Sequence, residues 1–167
     1  MKYLVIIFIY LLSAFSFIVL NLYDNGWQFL QPFLVTSLLV YYNQKNPWIY
    51  YAYAGLAGLF VDSFTGVFGL HAIFFMLIIF ILASLQLTIL TSKNILTIIL
   101  LSLSAFVMFW LFFLTANFIF PWNLYIINFD MMLQVIKMMG INLFILILVH
   151  LLYYNFWAKH HDKKQSF

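Results

Sequence analysis

The chain has 167 residues, of which 67% are apolar and only 7% are charged, and its formal net charge is +3. A soluble domain of ordinary composition carries roughly a quarter charged residues, because its surface must be wetted. The composition therefore excludes a soluble enzyme, a nucleic-acid-binding protein and a disordered tail. It predicts an integral membrane protein with little mass outside the bilayer and with membrane lipids as its immediate surroundings.

Several residue types are missing, and their absence narrows the chemistry. The chain has no cysteine, no arginine and no glutamate. A disulfide framework, a thiolate metal site and a cysteine nucleophile are thus impossible, and no zinc-protease, serine-hydrolase or phosphate-loop motif occurs. We predict a protein that is not an enzyme and that carries no cofactor and no metal site.

Six apolar stretches are candidates for membrane-spanning helices, which need about 20 residues, and the third of them is the shortest. They run from about Tyr3 to Leu22, Trp27 to Tyr42, Trp48 to Val61, Leu70 to Leu90, Ile95 to Phe120 and Val135 to Trp157. Lys2 and Ala14-Phe15-Ser16 loosely resemble a cleaved signal peptide, but the apolar run continues to Leu22, which favours a retained span. The fold class predicted is all-α, a polytopic bundle of six transmembrane helices forming one domain over residues 1–167.

The lysines predict the orientation of this bundle. Threading the six spans puts six of the seven lysines on one side, together with both termini and the tail at 158–167. Positively charged loops face the cytoplasm in membrane proteins. We therefore predict that both the N-terminus and the C-terminus are cytoplasmic.

The third span and the turn after it contain the most unusual pattern, with four of the six glycines between residues 54 and 71. Its small residues fall on one helical face, which lets another backbone approach closely, and its last glycines permit a tight turn. The candidate packing and partner-binding motif consists of Ala54, Gly55, Gly58, Asp62, Gly66, Gly69 and His71.

Asp62 has three interpretations at this stage. A carboxylate at membrane depth is costly and often functional, so a proton relay with His71 and a contact with a partner protein are both open. The favoured interpretation is structural: Asp62 caps the turn by binding Ser63, Thr65 or loop amides. His71 and His150 are expected to be hydrogen-bonded packing residues.

Three further features are singled out. Pro32 is expected to kink the second span, and Gln86 and Asn142 are candidates for interhelical hydrogen bonds. The outer segment from Pro121 to Gln134 is too apolar for a free aqueous loop, so we expect it to lie in the interface or under another protein. Its candidate contact residues are Pro121, Trp122, Tyr125 and Asp130.

The string from Gly58 to Ala72, GLFVDSFTGVFGLHA, resembles the signature of the MreD family of rod shape-determining proteins. That family shows a glycine, an aspartate four residues later, and glycines before a Leu-His-Ala start to the next helix. The pair Gln31-Pro32 is also similar to a dipeptide in the family's second helix. The chain departs from the family at Phe33, where aspartate is frequent, and at Lys45-Asn46-Pro47, where arginine is usual.

The resemblance implies a non-catalytic subunit of the bacterial cell-elongation complex in the cell membrane. Its partner would be MreC and, through it, MreB, RodA and a transpeptidase, and it would help to position lateral peptidoglycan synthesis. The same resemblance implies a fold similar to the substrate-binding subunits of energy-coupling-factor vitamin transporters. A subunit of such a transporter is the alternative function, although the outer loops offer few polar groups for a ligand.

Overall fold

The computed structural model describes residues 2–22, 29–67, 69–88, 95–119 and 128–153, and every secondary-structure element of five residues or more in these ranges is an α-helix. The six helices are α1 (Lys2–Asn21), α2 (Pro32–Asn43), α3 (Pro47–Thr65), α4 (Leu70–Thr88), α5 (Ile95–Ile119) and α6 (Phe129–Tyr153). The predicted all-α class is confirmed.

Four of the helices in the described part of the chain, α1, α4, α5 and α6, are long and apolar enough to cross a membrane. The helix α2 has 12 residues, which gives a length of about 18 Å against a hydrocarbon thickness of about 30 Å. The helix α3 has 19 residues, but its tyrosines and its polar end leave it less apolar than the other four. Multi-pass membrane character is thus supported for four of the six expected spans.

The short helix α2 lies at the centre of the bundle. It packs against α1, α3, α4 and α6, and most of its side chains are buried because neighbours surround it. The fully buried core around it includes Phe33, Leu34, Leu38, Phe75, Ile78, Ile79, Leu82, Phe106 and Leu146. The helix α2 is less apolar than the other five and includes Thr36, Tyr41 and Asn43, so its burial comes from the four helices that pack around it.

The sequence predicts that Pro32 kinks the second span, and this prediction is wrong, because Pro32 is the first residue of α2. A proline lacks the backbone N–H, which has no partner in the first helical turn in any case, and its fixed φ suits that position. Pro47 begins α3 in the same way, where the Asn46 side chain accepts a hydrogen bond of 3.1 Å from the Trp48 N–H. Both prolines therefore start helices.

A polar network joins the first three helices. The Thr36 hydroxyl in α2 accepts a hydrogen bond of 2.9 Å from the Ser13 hydroxyl in α1 and another of 2.9 Å from the Tyr53 hydroxyl in α3. Thr36 itself donates to the Pro32 carbonyl at 2.9 Å. The hydroxyls of Ser13, Thr36 and Tyr53 thus find their partners inside the bundle, which is the condition for burying them away from water.

Gln86 and Asn142, which are expected to form hydrogen bonds between helices, both do so. The Tyr41 hydroxyl in α2 donates to Gln86 Oε1 in α4 at 2.6 Å. Asn142 in α6 accepts a hydrogen bond from the Gln31 N–H at 3.1 Å. Polar contacts of this kind hold apolar helices in a fixed register, because the alternative is an unpaired polar group in hydrocarbon.

The last helix begins earlier than its predicted span. The helix α6 starts at Phe129, whereas the apolar pattern places the start of the sixth span at about Val135. The second half of the outer segment Pro121–Gln134 is therefore the beginning of α6. Residues 121–127, with Pro121, Trp122 and Tyr125, lie outside the described residues.

Candidate functional site

The third and fourth helices are in close backbone contact at Gly58. A Cβ atom built on Gly58 would lie 2.3 Å from both the Cα and the N of Ala72, distances that real Cβ atoms essentially never show. The α4 backbone thus occupies the space that a side chain at residue 58 would need. Ala54, one turn earlier on α3, is fully buried, as expected for a small-residue packing face.

The α3–α4 turn depends on two glycines with left-handed backbone conformation. Gly66 has a φ of 73° and ends α3, where its N–H bonds to the Asp62 carbonyl at 3.1 Å. Gly69 has a φ of 87° and directly precedes α4. Side-chain-bearing residues pay roughly 1–2 kcal/mol in this region, so glycine allows the chain to reverse at low cost.

The Asp62 carboxylate caps the first turn of α4. Its Oδ1 accepts a hydrogen bond from the His71 N–H at 2.9 Å, and its Oδ2 accepts one from the Ala72 N–H at 3.2 Å. These are the second and third N–H groups of α4, the two that an N-cap side chain normally binds. Gly69 has no side chain to cap the helix, and Asp62 supplies the missing acceptor from the end of the preceding helix.

The His71 side chain completes the set of donors around Asp62. His71 Nδ1 lies 2.8 Å from Asp62 Oδ1, and both residues are buried, with 4% and 2% of their surfaces exposed. Apolar rings surround the imidazole: the ring centroids of Phe113 and Phe109 lie 5.0 Å and 6.1 Å from it. In this apolar environment the hydrogen bonds to the carboxylate are strengthened, because little water competes for it.

This geometry supports the structural interpretation of Asp62, with different partners from those expected. The sequence pointed to Ser63, Thr65 or loop amides, but the carboxylate instead binds the two amides of α4 and the His71 ring. A negative charge at a helix N-terminus also interacts favourably with the helix dipole. The three hydrogen bonds engage both carboxylate oxygens and fix the angle between α3 and α4.

The small-residue face is used inside the protein. Gly58 and Ala54 are buried in the bundle, and a Cβ on Gly55 would contact the Met76 sulfur at 3.4 Å. The chain's own fourth helix covers Gly58, whereas Gly66 in the same motif is exposed. The expectation that the motif also binds a partner protein stays a prediction. Asp130, in contrast, is exposed in the first turn of α6.

The sequence predicts one of the two residues in a second buried polar contact. Asn142 was a candidate for an interhelical bond, but nothing in the sequence indicated that its partner would be the Gln31 N–H, 111 residues away. The Gln31 N–H precedes Pro32 and lies at the entry to α2, where no helical acceptor is available to it. Asn142 thus fixes the start of the central helix.

Other candidate residues do not join a site. His150 was expected to be hydrogen-bonded, but its Nδ1 is buried without a partner in the described part of the chain, and its ring packs against Tyr42. Lys137 is exposed on α6. A search of the described residues found no group of three or more acidic, histidine or cysteine side chains that could hold a metal ion.

Comparisons of the chain with protein-family models, with curated proteins and with solved structures gave no match. The functional assignment therefore depends on the geometry of the Asp62–His71 junction and its surroundings.

Proposed function

We propose that this protein is a non-catalytic subunit of the bacterial cell-elongation complex, the function that its resemblance to the MreD family implies. The observation that supports this most is the use of Asp62. The residues that carry the resemblance form a helix–helix joint, in which the carboxylate binds two backbone amides and one imidazole. Such a joint would hold the two helices in a fixed arrangement. A protein whose role is to position other proteins needs a fixed shape.

The same geometry argues against chemistry at this junction. A carboxylate that acts as a general acid or base must reach the proton of a substrate at hydrogen-bond distance. Asp62 is 98% covered by the protein's own atoms and already binds three donors. We therefore propose a role in assembly, with helices docking on helices in the membrane.

The proposed topology has six membrane passes with both termini in the cytoplasm. Four helices have the length and composition of spans. Between α1 and α4, α2 would pass inward and α3 would pass outward. Lys45 in the α2–α3 loop is exposed, and a cytoplasmic position for it agrees with the positive-inside rule.

The proposed partner is MreC, and the outer segment Pro121–Gln134 is the candidate contact. In its described part, the first turns of α6 expose large apolar side chains: Phe129, Met132 and Leu133 are 80%, 49% and 58% exposed. Asp130 lies among them. Exposed aromatic and methionine side chains are enriched in protein interfaces, which supports this end of α6 as a docking face.

The test is depletion of the protein in the rod-shaped cells that make it, followed by microscopy and by copurification of tagged protein from native membranes. We expect the cells to become round and MreC to copurify. Re-expression of the wild-type chain should restore rods and serves as the control. Cells that stay rod-shaped while failing to take up one vitamin would contradict the proposal and favour the transport alternative.

A further inference from the structure

The helix α6 has a buried side and an exposed side. It packs against α2 and α5, and its buried side chains are Met131, Val135, Met138, Asn142 and Leu146. On the opposite side, residues at alternating spacings of three and four are exposed: Asp130, Leu133, Lys137, Gly140 and Phe144. This spacing keeps all five on one stripe of a helix. These five residues are called the exposed α6 face below.

Lys137 places a positive charge on this face, inside an apolar span. The span covers Phe129–Leu152, and Lys137 lies about 12 Å along it. In contrast, the helices α4 and α5 contain no lysine, arginine, aspartate or glutamate. A charged side chain at membrane depth is costly and normally pairs with another group.

The chain does not supply that group among its described residues. No carboxylate oxygen in this part of the chain lies within 4.0 Å of the Lys137 ammonium. Asp130 is on the same helix but two turns away, a distance of about 10 Å. Asp62 is buried in its contacts with His71 and Ala72. The exposed α6 face therefore presents a cation that needs an anionic partner from outside the chain.

Gly140, one turn after Lys137, leaves a notch in the same face. A Cβ built on it would meet no atom within 4 Å. The other glycines of the described residues have reasons inside the chain: Gly58 has no room for a side chain, Gly55 faces a methionine, and Gly66 and Gly69 have positive φ. Glycine is a poor helix former, so Gly140 weakens α6 without allowing any contact within the described structure. A glycine on a helix surface lets the backbone of another helix approach closely.

The charge and the notch together distinguish between three possible occupants. A lipid phosphate could pair with Lys137, but a flexible acyl chain adapts to any helix surface and does not account for Gly140. A second copy of the chain has the same orientation in the membrane. A symmetric pair through this face would set Lys137 against Lys137 and Asp130 against Asp130, and like charges facing each other are repelled. A helix from a different protein fits both features.

We propose that the exposed α6 face binds a transmembrane helix of another protein, and that this helix carries an aspartate or a glutamate opposite Lys137. Gly140 allows the two backbones to approach, and the Phe144 ring packs on the partner one turn further along. The carboxylate neutralises Lys137 away from water. This inference does not rest on the function proposed above, because it concerns the chemistry of the contact and is measured without reference to cell shape.

The first experiment places a photoreactive benzoylphenylalanine at position 144 of the full-length protein, in membranes of the cells that make it. Phe80 on α4 is the matched control position, since Phe144 and Phe80 are 66% and 61% exposed. We expect the probe at position 144 to crosslink to a transmembrane segment that contains an aspartate or a glutamate, and the probe at position 80 to label lipid. Crosslinks from position 144 to lipid alone, to a second copy of the chain, or to a segment without a carboxylate would overturn the proposal.

The role of the charge is tested by substitutions at Lys137 in the chain that carries this probe. Lys137→Met keeps an unbranched side chain without the charge, and we expect the yield of the crosslinked partner to fall at least about three-fold, as for the loss of one polar contact between membrane helices. Lys137→Arg keeps the charge and should retain the yield. Lys137→Asp should abolish the crosslink, and a lysine in place of the partner's carboxylate should restore it. A yield that is the same in the methionine and arginine variants would contradict the proposal.

Gly140→Ala separates docking from folding. Because no atom lies within 4 Å of the added methyl group and alanine is the better helix former, the purified variant should unfold in detergent at the same temperature as the wild type or higher. The same substitution should lower the yield of the crosslinked partner, since it fills the notch. Gly140→Leu should lower the yield further. An undiminished yield in both variants, or a lower unfolding temperature for Gly140→Ala, would show that the notch does not serve a partner helix.

Discussion

Gly58 of α3 and Ala72 of α4 lie so close that the backbone of one fills the place of a side chain on the other. A Cβ on Gly58 would lie 2.3 Å from the Ala72 backbone, whereas a Cβ on Gly55 would meet only the flexible Met76 side chain at 3.4 Å. The two glycines are three residues apart, but only Gly55 has room for an added methyl group. The difference comes from the neighbouring helix, since both residues have the same helical backbone.

We predict that Gly58→Ala destabilises the protein by about 3 kcal/mol, because the helices must separate to admit the methyl group. Gly55→Ala is the matched control and should change stability by less than about 1 kcal/mol, since alanine is also the better helix former. Thermal unfolding in detergent measures both. Similar unfolding temperatures for the two variants would refute the close contact.

Replacing Asp62 by alanine should destabilise the protein strongly. The change leaves two α4 amides and the His71 ring without their acceptor, and each unsatisfied buried donor costs roughly 1–3 kcal/mol. Asp62→Asn keeps one acceptor oxygen and should be intermediate. Asp130→Asn, an exposed aspartate on α6, is the control and should leave the unfolding temperature unchanged. An Asp62→Ala variant as stable as wild type would contradict the capping role.

Two substitutions at His71 distinguish the contribution of its hydrogen bond to Asp62 from the contribution of its ring packing. The Nδ2 of an asparagine lies close to the position of histidine Nδ1, so His71→Asn can keep the donor to Asp62 Oδ1 while losing ring contacts with Phe113. His71→Leu keeps an apolar side chain of similar reach but removes the donor. We expect the asparagine variant to retain the higher unfolding temperature and partner copurification; the reverse order would show that ring packing dominates.

The network of Ser13, Thr36 and Tyr53 predicts coupling between helices. Thr36→Val and Tyr53→Phe each remove one side of the same 2.9 Å hydrogen bond. In a double-mutant cycle the combined loss of stability should be smaller than the sum of the single losses, by about 0.5–1.5 kcal/mol. Thr115→Val combined with Tyr53→Phe is the control pair, and its effects should add, since the hydrogen bond of Thr115 in the described part of the chain is to Leu111 of its own helix.

Asn142→Leu should destabilise the start of the central helix. The substitution removes the acceptor of the buried Gln31 N–H, at a cost of roughly 1–3 kcal/mol. Asn21→Leu is the control, because among the described residues the Asn21 side chain bonds to a carbonyl of its own helix, and Asn21 is exposed. Hydrogen exchange of the α2 amides should rise in the first variant alone. Unchanged exchange at α2 would mean that Gln31 finds another acceptor.

Much of the fold could be predicted from local sequence patterns. The long apolar runs predict α1, α4 and α5 within two residues of their observed ends, because helix formation in an apolar chain depends on each segment's own composition. The errors lie at the less regular segments. Pro32 begins a helix where a kink was expected, and α6 begins six residues before its predicted span, since Phe129 to Gln134 is helical without being continuously apolar.

Local patterns are enough to predict an apolar, helical chain suited to a membrane, because hydropathy sums over neighbouring residues and needs no knowledge of the fold. They also mark Gly58, Asp62 and His71 as unusual. The roles of these residues follow from helix packing: α4 packs on α3, which buries Gly58 and brings the α4 amides to the Asp62 carboxylate. Likewise, no local pattern could pair Asn142 with Gln31. Such contacts depend on how the helices pack, and packing depends on residues far apart in the chain.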